Sequence, residues 1–237
     1  MSASGGSSLA RRLVQLYGGL VLYGVSAGLQ LRAGLGLAPW DVLNQGVAGR
    51  TGLSIGTVSI LIGVLVLLLW IPLRQRPGLG TVSNVLVIGL ALDVTLALVP
   101  ALPGSLWARI PLLVLAIVLG AAATGLYITP RFGPGPRDGL MTGLHRRTGR
   151  SVRLVRTCIE VVVLATGFAL GGSVGAGTVL YAVGIGPLSQ YFLRVFALPE
   201  RPERHRPRDP EGPRDPRDTA GPVAPSAVTA REVPDLV

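Results

Sequence analysis

The chain has 237 residues, of which 49% are hydrophobic and only 14% are charged, with 33 Gly and 19 Pro. This composition is too apolar for an ordinary soluble domain, and the glycines lack the three-residue period of a collagen-like fibre. All 22 basic residues are Arg, which excludes chemistry that needs a lysine, such as a Schiff base or a P-loop phosphate contact. We therefore expect an all-α polytopic membrane protein.

The sequence carries few groups for metal or covalent chemistry. One Cys and two His cannot build a cysteine-rich zinc site or an intrachain disulfide, so we expect neither a metal nor a cofactor. No Ser/His/Asp grouping and no acid pair at one membrane depth indicates catalysis, so we do not expect an enzyme.

The net charge of +10 is unevenly distributed along the chain. Residues 1–199 contain 15 Arg and 4 acids, a balance of +11, whereas residues 200–237 contain 7 Arg and 8 acids, a balance of −1. No aromatic residues alternate with the Arg, so nucleic acid is not an expected partner. The Pro-, Arg- and Asp-rich stretch from 199 to 237 predicts a disordered cytoplasmic tail after a membrane domain at 1–198.

Arg residues divide the membrane domain into uncharged stretches of about 20 residues, the length that spans a bilayer. The sequence predicts six transmembrane helices, at about 13–32, 55–73, 81–101, 109–129, 154–171 and 177–196. The first could instead be a cleaved signal peptide, including a twin-arginine one, because Arg11 and Arg12 precede it. Against this, its apolar run is longer than the usual 7–15 residues of such a signal.

The Arg distribution predicts the orientation in the membrane. If the N-terminus is inside, only Arg32, Arg50 and Arg109 of the membrane domain face outward, and the remaining Arg face the cytoplasm. Cytoplasmic loops carry the excess of Arg in multi-pass proteins. We therefore expect a plasma (inner) membrane protein with both termini in the cytoplasm.

The chain matches itself at a shift of 97 residues. Residues 36–54 and 133–151 are identical at nine of nineteen positions, and residues 78–82 and 28–29 match their counterparts at the same shift. Each half, about 10–104 and 107–198, contains three predicted spans. Because three is odd, the second half must enter the membrane from the opposite side. An inverted repeat of this kind is typical of secondary transporters.

Each half contains a repeated Pro-x-Asp loop. Its Pro suits the first turn of a helix, and its Asp then lies near the positive end of the helix dipole. We interpret each loop as a short half-helix in the interface or dipping into the membrane. Two meanings stay open: the Asp caps a structural helix, or the loops form gates at the two mouths of a central pathway. The candidate gate residues are Pro39, Trp40, Asp41, Pro136 and Asp138.

Polar residues inside the predicted spans are candidates for a central site. Asp93 lies near the middle of the third span, and Gln190 lies 97 residues after it. Asn84 and Tyr181 are related in the same way. Acids inside a membrane mark functional sites by default, although Asp93 could also serve helix packing through a hydrogen bond to Asn84 or Gln190.

An Arg-rich connection follows the second Pro-x-Asp segment. It is expected to contact the bilayer through anionic lipid headgroups, because clustered Arg beside a membrane span attract them. The residues are Arg146, Arg147, Arg150 and Arg153. The sequence leaves a homo-oligomer open.

The first-half motif resembles that of the bacterial YczE-like integral membrane proteins, a branch of the YitT/YczE group. The resemblance rests on residues 36–43, 52–57 and 78–81 and covers about 10–197. The second half departs in having Arg137 where Trp40 stands. The resemblance implies an inner-membrane protein and supplies no catalytic residues. We expect a transporter-like protein for a small solute or ion; the alternative is a non-transporting accessory protein that docks a cytoplasmic partner through its loop and tail.

Overall fold

The computed structural model describes residues 8–101 and 104–197. Within these ranges the chain is all-α and has no strand. Its eight helices are α1 (Leu9–Ala33), α2 (Pro39–Thr51), α3 (Ile55–Trp70), α4 (Leu79–Leu98), α5 (Leu106–Ile128), α6 (Pro136–Thr148), α7 (Val152–Ala169) and α8 (Ala176–Val195). The six long ones overlap the six predicted spans. The predicted tail lies outside the described residues.

Two helices, α4 and α5, are by themselves long and apolar enough to cross a membrane. A third span results if α2 and α3, which bend by 114° at their junction, are taken together. The other long helices do not meet this standard of length and composition. In α7 the reason is visible, since its 18 residues include Arg153, Arg156 and Glu160.

Helix boundaries recur at the spacing of 97 residues. The helices of the first half, α1 to α4, begin at residues 9, 39, 55 and 79. The equivalent helices of the second half, α5 to α8, begin at residues 106, 136, 152 and 176. The repeated Gly-x-Ser explains part of this agreement. Gly52 and Gly149 end α2 and α6 with φ of 73° and 68°, a left-handed conformation that favours glycine. Ser54 and Ser151 then cap the next helices.

The contact between α1 and α5 is reciprocal. Arg12, at the start of α1, donates to the carbonyl of Pro130 after the end of α5, at 2.5 Å. Arg109, at the start of α5, donates to the carbonyl of Ala33 at the end of α1, at 2.7 Å. The two donors, Arg12 and Arg109, are 97 residues apart, and so are the two acceptors, Ala33 and Pro130. The two helices are therefore antiparallel, and equivalent residues exchange places as they do across a two-fold axis.

A second reciprocal contact explains the repeated Gly-x-Gly-Thr-Val blocks. The amide of Gly80, in the first turn of α4, donates to Phe132 at 3.0 Å, and the amide of Gly177 in α8 donates to Leu35 at 2.8 Å. A Cβ on Gly80 would lie 3.1 Å from Phe132, and one on Gly177 would lie 2.8 Å from the Gly36 carbonyl. The first block therefore joins the N-terminus of α4 to the segment before α6. The second block joins the N-terminus of α8 to the segment before α2.

The short helices also cross between the halves, since α2 packs on α7 and α6 packs on α3. Gly167 of α7 lies against the backbone of Leu43, and Gly139 of α6 lies under the ring of Trp70. The Trp70 indole N–H donates to the carbonyl of Pro136 at 3.0 Å and so holds the first turn of α6. The buried core around these contacts consists of Trp40, Val66, Trp70, Leu140 and Val163.

Candidate functional site

The N-termini of α2 and α6 meet at a cavity of about 130 Å³. Helices α1, α3, α4, α5, α7 and α8 also contribute to its wall. Most of the lining residues form pairs that are 97 positions apart. The pairs are Ala38 with Gly135, Pro39 with Pro136, Trp40 with Arg137, Asp41 with Asp138, Ser59 with Arg156, Gly63 with Glu160, and Asn84 with Tyr181. The cavity therefore lies where equivalent parts of the two halves face each other.

Trp40 and Arg137 are in direct contact. The Arg137 guanidinium carbon lies 4.8 Å from the centre of the Trp40 ring, within the range of a cation–π interaction. Among the described residues, Arg137 has no hydrogen bond or ion pair within 4 Å. The indole N–H of Trp40, which is 7% exposed, also lacks an acceptor there. Arg137 thus brings unused hydrogen-bond donors to the cavity, and the Trp40 N–H is a buried donor without an acceptor beside it.

The two carboxylates differ in accessibility. Asp41 is 5% exposed, and one of its oxygens accepts a hydrogen bond from the Asn44 amide at 3.2 Å. Asp138 is exposed, and the nearby pair Arg156 and Glu160, joined at 2.9 Å, is 56% and 34% exposed. The cavity is therefore closed at the Asp41 end and open at the end formed by α6 and α7.

Three tyrosines complete the polar wall. The hydroxyls of Tyr23 and Tyr181 lie 3.5 Å apart, and the rings of Tyr23 and Tyr127 meet edge to face at 6.1 Å between centres. These contacts link α1, α5 and α8 around the cavity. Aromatic faces and phenolic oxygens are groups that can contact a cation without adding charge to the site.

The structure divides the predicted central polar residues into two sets. Asn84 and Tyr181 line the cavity, whereas Asp93 and Gln190 are not among its described lining residues. Asp93 instead accepts hydrogen bonds from the Ser54 hydroxyl at 2.5 Å and the Gly56 amide at 2.8 Å, at the N-terminus of α3. Gln190 is exposed on α8.

The predicted gate residues all line one cavity: Pro39, Trp40, Asp41, Pro136 and Asp138. The sequence interpretation put the two loops at opposite mouths of a pathway. The difference arises because α2 and α6 each turn their N-terminal end inward, so that their first turns meet instead of lying apart.

Six polar lining residues were not among the candidates from sequence: Tyr23, Ser59, Tyr127, Arg137, Arg156 and Glu160. The repeat contained a signal for three of them. Arg137, Arg156 and Glu160 occupy the positions 97 residues after Trp40, Ser59 and Gly63, so a charge replaces an uncharged residue each time. For the two tyrosines, whose counterparts are Gly120 and Gln30, no comparable signal was available.

The four Arg expected to meet lipid headgroups, Arg146, Arg147, Arg150 and Arg153, are exposed. Arg147 also donates to the carbonyl of Pro72 at 3.3 Å, which ties the end of α6 to the end of α3. The lipid contact itself stays a prediction.

An all-helical chain with apolar helices of spanning length around a polar cavity is a helical membrane protein. The chain belongs to the family of unknown function DUF6198, whose model matches residues 10–194. The YczE-like resemblance is confirmed. The uncharacterized membrane protein YczE of Bacillus subtilis is 33% identical over 195 residues, covering 81% of this chain and 87% of that protein.

Two further relatives match over similar lengths. An uncharacterized protein of Haemophilus influenzae is 45% identical over 184 residues, covering 77% of this chain and 84% of its own. The uncharacterized protein YyaS of Bacillus subtilis is 26% identical over 180 residues, covering 75% and 90%. No solved structure is significantly similar to the chain.

Proposed function

We propose that this protein is a carrier that binds a small solute or ion in the central cavity and moves it unchanged across the plasma membrane. The observation that supports this most is the convergence of two short helices, one from each half, on a single polar cavity lined by repeat-related residues. Secondary transporters built from inverted repeats place their substrate between the halves, at the N-termini of discontinuous helices.

The proposal includes a topology of six spans in two inverted halves, with both termini in the cytoplasm. Two observations support it. The Arg distribution follows the positive-inside pattern. In addition, α1 and α5 are antiparallel and exchange equivalent contacts through Arg12 and Arg109. If both helices cross the membrane, they must cross it in opposite directions.

The polarity of the cavity also favours a binding role. Charged groups among apolar helices are costly and tend to persist where they serve a substrate path. Part of the cost is offset here, because Asp41 and Asp138 lie in the first turns of α2 and α6 and complement the positive ends of those helices. Arg137 has no hydrogen-bond acceptor among the described residues, so its N–H groups are available to a ligand.

The uneven access to the cavity has a cause in the sequence. Gly56 and Gly63 let α3 approach α4 closely, since a Cβ on Gly56 would lie 2.1 Å from the Gly89 carbonyl. Their counterparts in α7 are Arg153 and Glu160, and α7 and α8 do not pack along each other. In the proposed topology the open end faces the cytoplasm, so this is the inward-facing state of the carrier.

Accessibility from the two sides of the membrane tests the carrier without knowledge of its substrate. In a Cys158→Ser background, Asn84→Cys places a thiol on the cavity wall. A carrier that alternates should expose this thiol to a water-soluble methanethiosulfonate reagent in both inside-out and right-side-out vesicles, faster in the inside-out ones. Ser83→Cys, next to it but buried away from the cavity, is the matched control and should react from neither side. Reaction of Asn84→Cys from one side only would contradict a carrier.

A further inference from the structure

We infer that the ligand of the central cavity is a small zwitterion, a molecule that carries one carboxylate and one ammonium group. Arg137 would hold its carboxylate, and Asp41 and Asp138 would hold its ammonium group. This inference deepens the proposed function and rests on it for the transport of the ligand, whereas the argument for binding uses the cavity alone.

The size of the cavity limits the ligand. Its volume is about 130 Å³. A protein cavity of about 150 Å³ holds benzene, so the ligand has about six non-hydrogen atoms. An amino acid of the size of glycine, alanine or serine fits completely inside this space, whereas a sugar or a nucleotide would extend through the open end.

The anionic end of the ligand meets unused donors. The guanidinium of Arg137 is fixed over the Trp40 ring at 4.8 Å and, within the described residues, has no hydrogen bond or ion pair. A guanidinium offers N–H groups in a planar fork that matches a carboxylate. The buried indole N–H of Trp40 is a further donor without an acceptor in the described part of the chain. Trp40 and Arg137 both line the cavity, in the first turns of the two short helices.

The cationic end of the ligand meets two carboxylates that form no close ion pair among the described residues. Neither Asp41 nor Asp138 has an ion pair within 4 Å among the described residues, and Asp41 accepts a hydrogen bond from the Asn44 amide. Tyr23 and Tyr181 line the same cavity. Carboxylates together with aromatic faces are the environment in which proteins bind ammonium groups.

The charge balance favours a ligand with both signs over a single ion. Arg156 and Glu160 neutralise each other at 2.9 Å. The remaining cavity charges are two carboxylates and one guanidinium, a sum of −1. The N-termini of α2 and α6 contribute about +0.5 each, so the total is close to zero. A simple cation would contact only the carboxylates and a simple anion only Arg137, whereas a zwitterion contacts both sets of charged groups.

Calorimetry on the full chain in lipid nanodiscs tests the inference. The zwitterions are glycine, alanine, serine and β-alanine. Isopropylamine and isobutyrate are the matched probes, because they replace the carboxylate or the ammonium group of alanine by a methyl group. We expect at least one zwitterion to bind, and both matched probes to bind at least about tenfold more weakly, since each leaves either Arg137 or the two carboxylates without an oppositely charged group on the ligand.

Substitutions show which residues bind the carboxylate and which bind the ammonium group of the ligand. Arg137→Gln should weaken zwitterion binding at least about tenfold and leave the weak binding of isopropylamine unchanged. Asp138→Asn should weaken zwitterion binding without affecting isobutyrate. Arg146→Gln, the same change at an exposed position of α6, is the control and should change nothing. Arg137→Lys keeps the charge but not the fork, so it should lose less, and it replaces Arg137→Gln if that variant does not elute as a single folded species.

Each other outcome overturns the inference. Isopropylamine binding as tightly as the zwitterions would make this a cation site, and isobutyrate doing so would make it an anion site. Absence of binding for all four zwitterions, or wild-type binding in Arg137→Gln, would also contradict it. The carrier proposal is tested separately: zwitterion binding without two-sided reactivity of Asn84→Cys refutes the carrier alone, and two-sided reactivity without zwitterion binding refutes the ligand class alone.

Discussion

Asp93 accepts hydrogen bonds at the N-terminus of α3 and is not among the described residues that line the cavity. Its carboxylate accepts hydrogen bonds from the Ser54 hydroxyl and the Gly56 amide, and Gly56 is where α3 and α4 come closest. An acid at this position satisfies N–H groups that a helix start leaves open, in surroundings where water is scarce. Asp93 thus contributes to packing through Ser54 and Gly56, and the partners expected from the sequence, Asn84 and Gln190, were wrong.

Asp93→Ala should therefore lower stability and leave the cavity intact. The substitution removes two hydrogen bonds to a carboxylate, and a hydrogen bond to a charged group contributes about 1.5–3 kcal/mol to the free energy of unfolding. Gln190→Ala, at the repeat-related but exposed position, should change stability by less than about 0.5 kcal/mol. Unfolding of the purified variants in detergent measures both. Normal stability of Asp93→Ala combined with loss of ligand binding would instead put Asp93 in the site.

The polar residues show where sequence reasoning reaches its limit. The shift of 97 residues paired Asn84 with Tyr181 and Asp41 with Asp138, and each pair lines the cavity. The same shift paired Asp93 with Gln190, which do not. A sequence comparison identifies equivalent positions but not the side of a helix that each one faces. That side depends on packing between helices distant in the chain, such as α3 on α6.

At the level of elements, small residues set the position of the short helices. Gly139 allows the Trp70 ring to lie directly on α6, and Gly167 allows α2 to lie on α7. Both contacts join a short helix of one half to a long helix of the other. The N-termini of α2 and α6 reach the centre because the long helices hold them there, and the local sequence alone gives only their start at Pro39 and Pro136.

Gly139→Ala should disrupt this arrangement. Its Cβ would lie 1.9 Å from a ring carbon of Trp70, so the ring must move and its hydrogen bond to Pro136 must break. We expect a loss of at least about 2 kcal/mol in the free energy of unfolding, toward the upper part of the range for overpacking. Gly49→Ala, on the open face of α2 with nothing within 4 Å, is the matched control.

The control should gain stability, by up to about 1 kcal/mol, because Ala is the better helix former. Thermal unfolding of both variants in the same detergent provides the comparison. Equal stability of Gly139→Ala and Gly49→Ala would mean that α6 is not fixed against Trp70 as described.

At the scale of the whole molecule, the fold follows from one duplicated pattern with local departures. The long helices, the helix starts at Pro39 and Pro136 and the repeat itself could be predicted from apolar length, helix-start chemistry and self-comparison. The crossing of the short helices and their shared cavity could not, because contacts between the halves leave no trace in a single sequence. The departures from symmetry, such as Glu160 opposite Gly63, open one end of the cavity.

The central claim is that the two halves lie in the membrane in opposite orientations. Thr51→Cys and Thr148→Cys, at the equivalent exposed ends of α2 and α6, test it in intact cells, with Cys158→Ser to remove the exposed native thiol. An impermeant maleimide should label Thr51→Cys directly and Thr148→Cys only after the membrane is permeabilised. Equal labelling of the two thiols from one side would place both short helices on the same face and contradict the account.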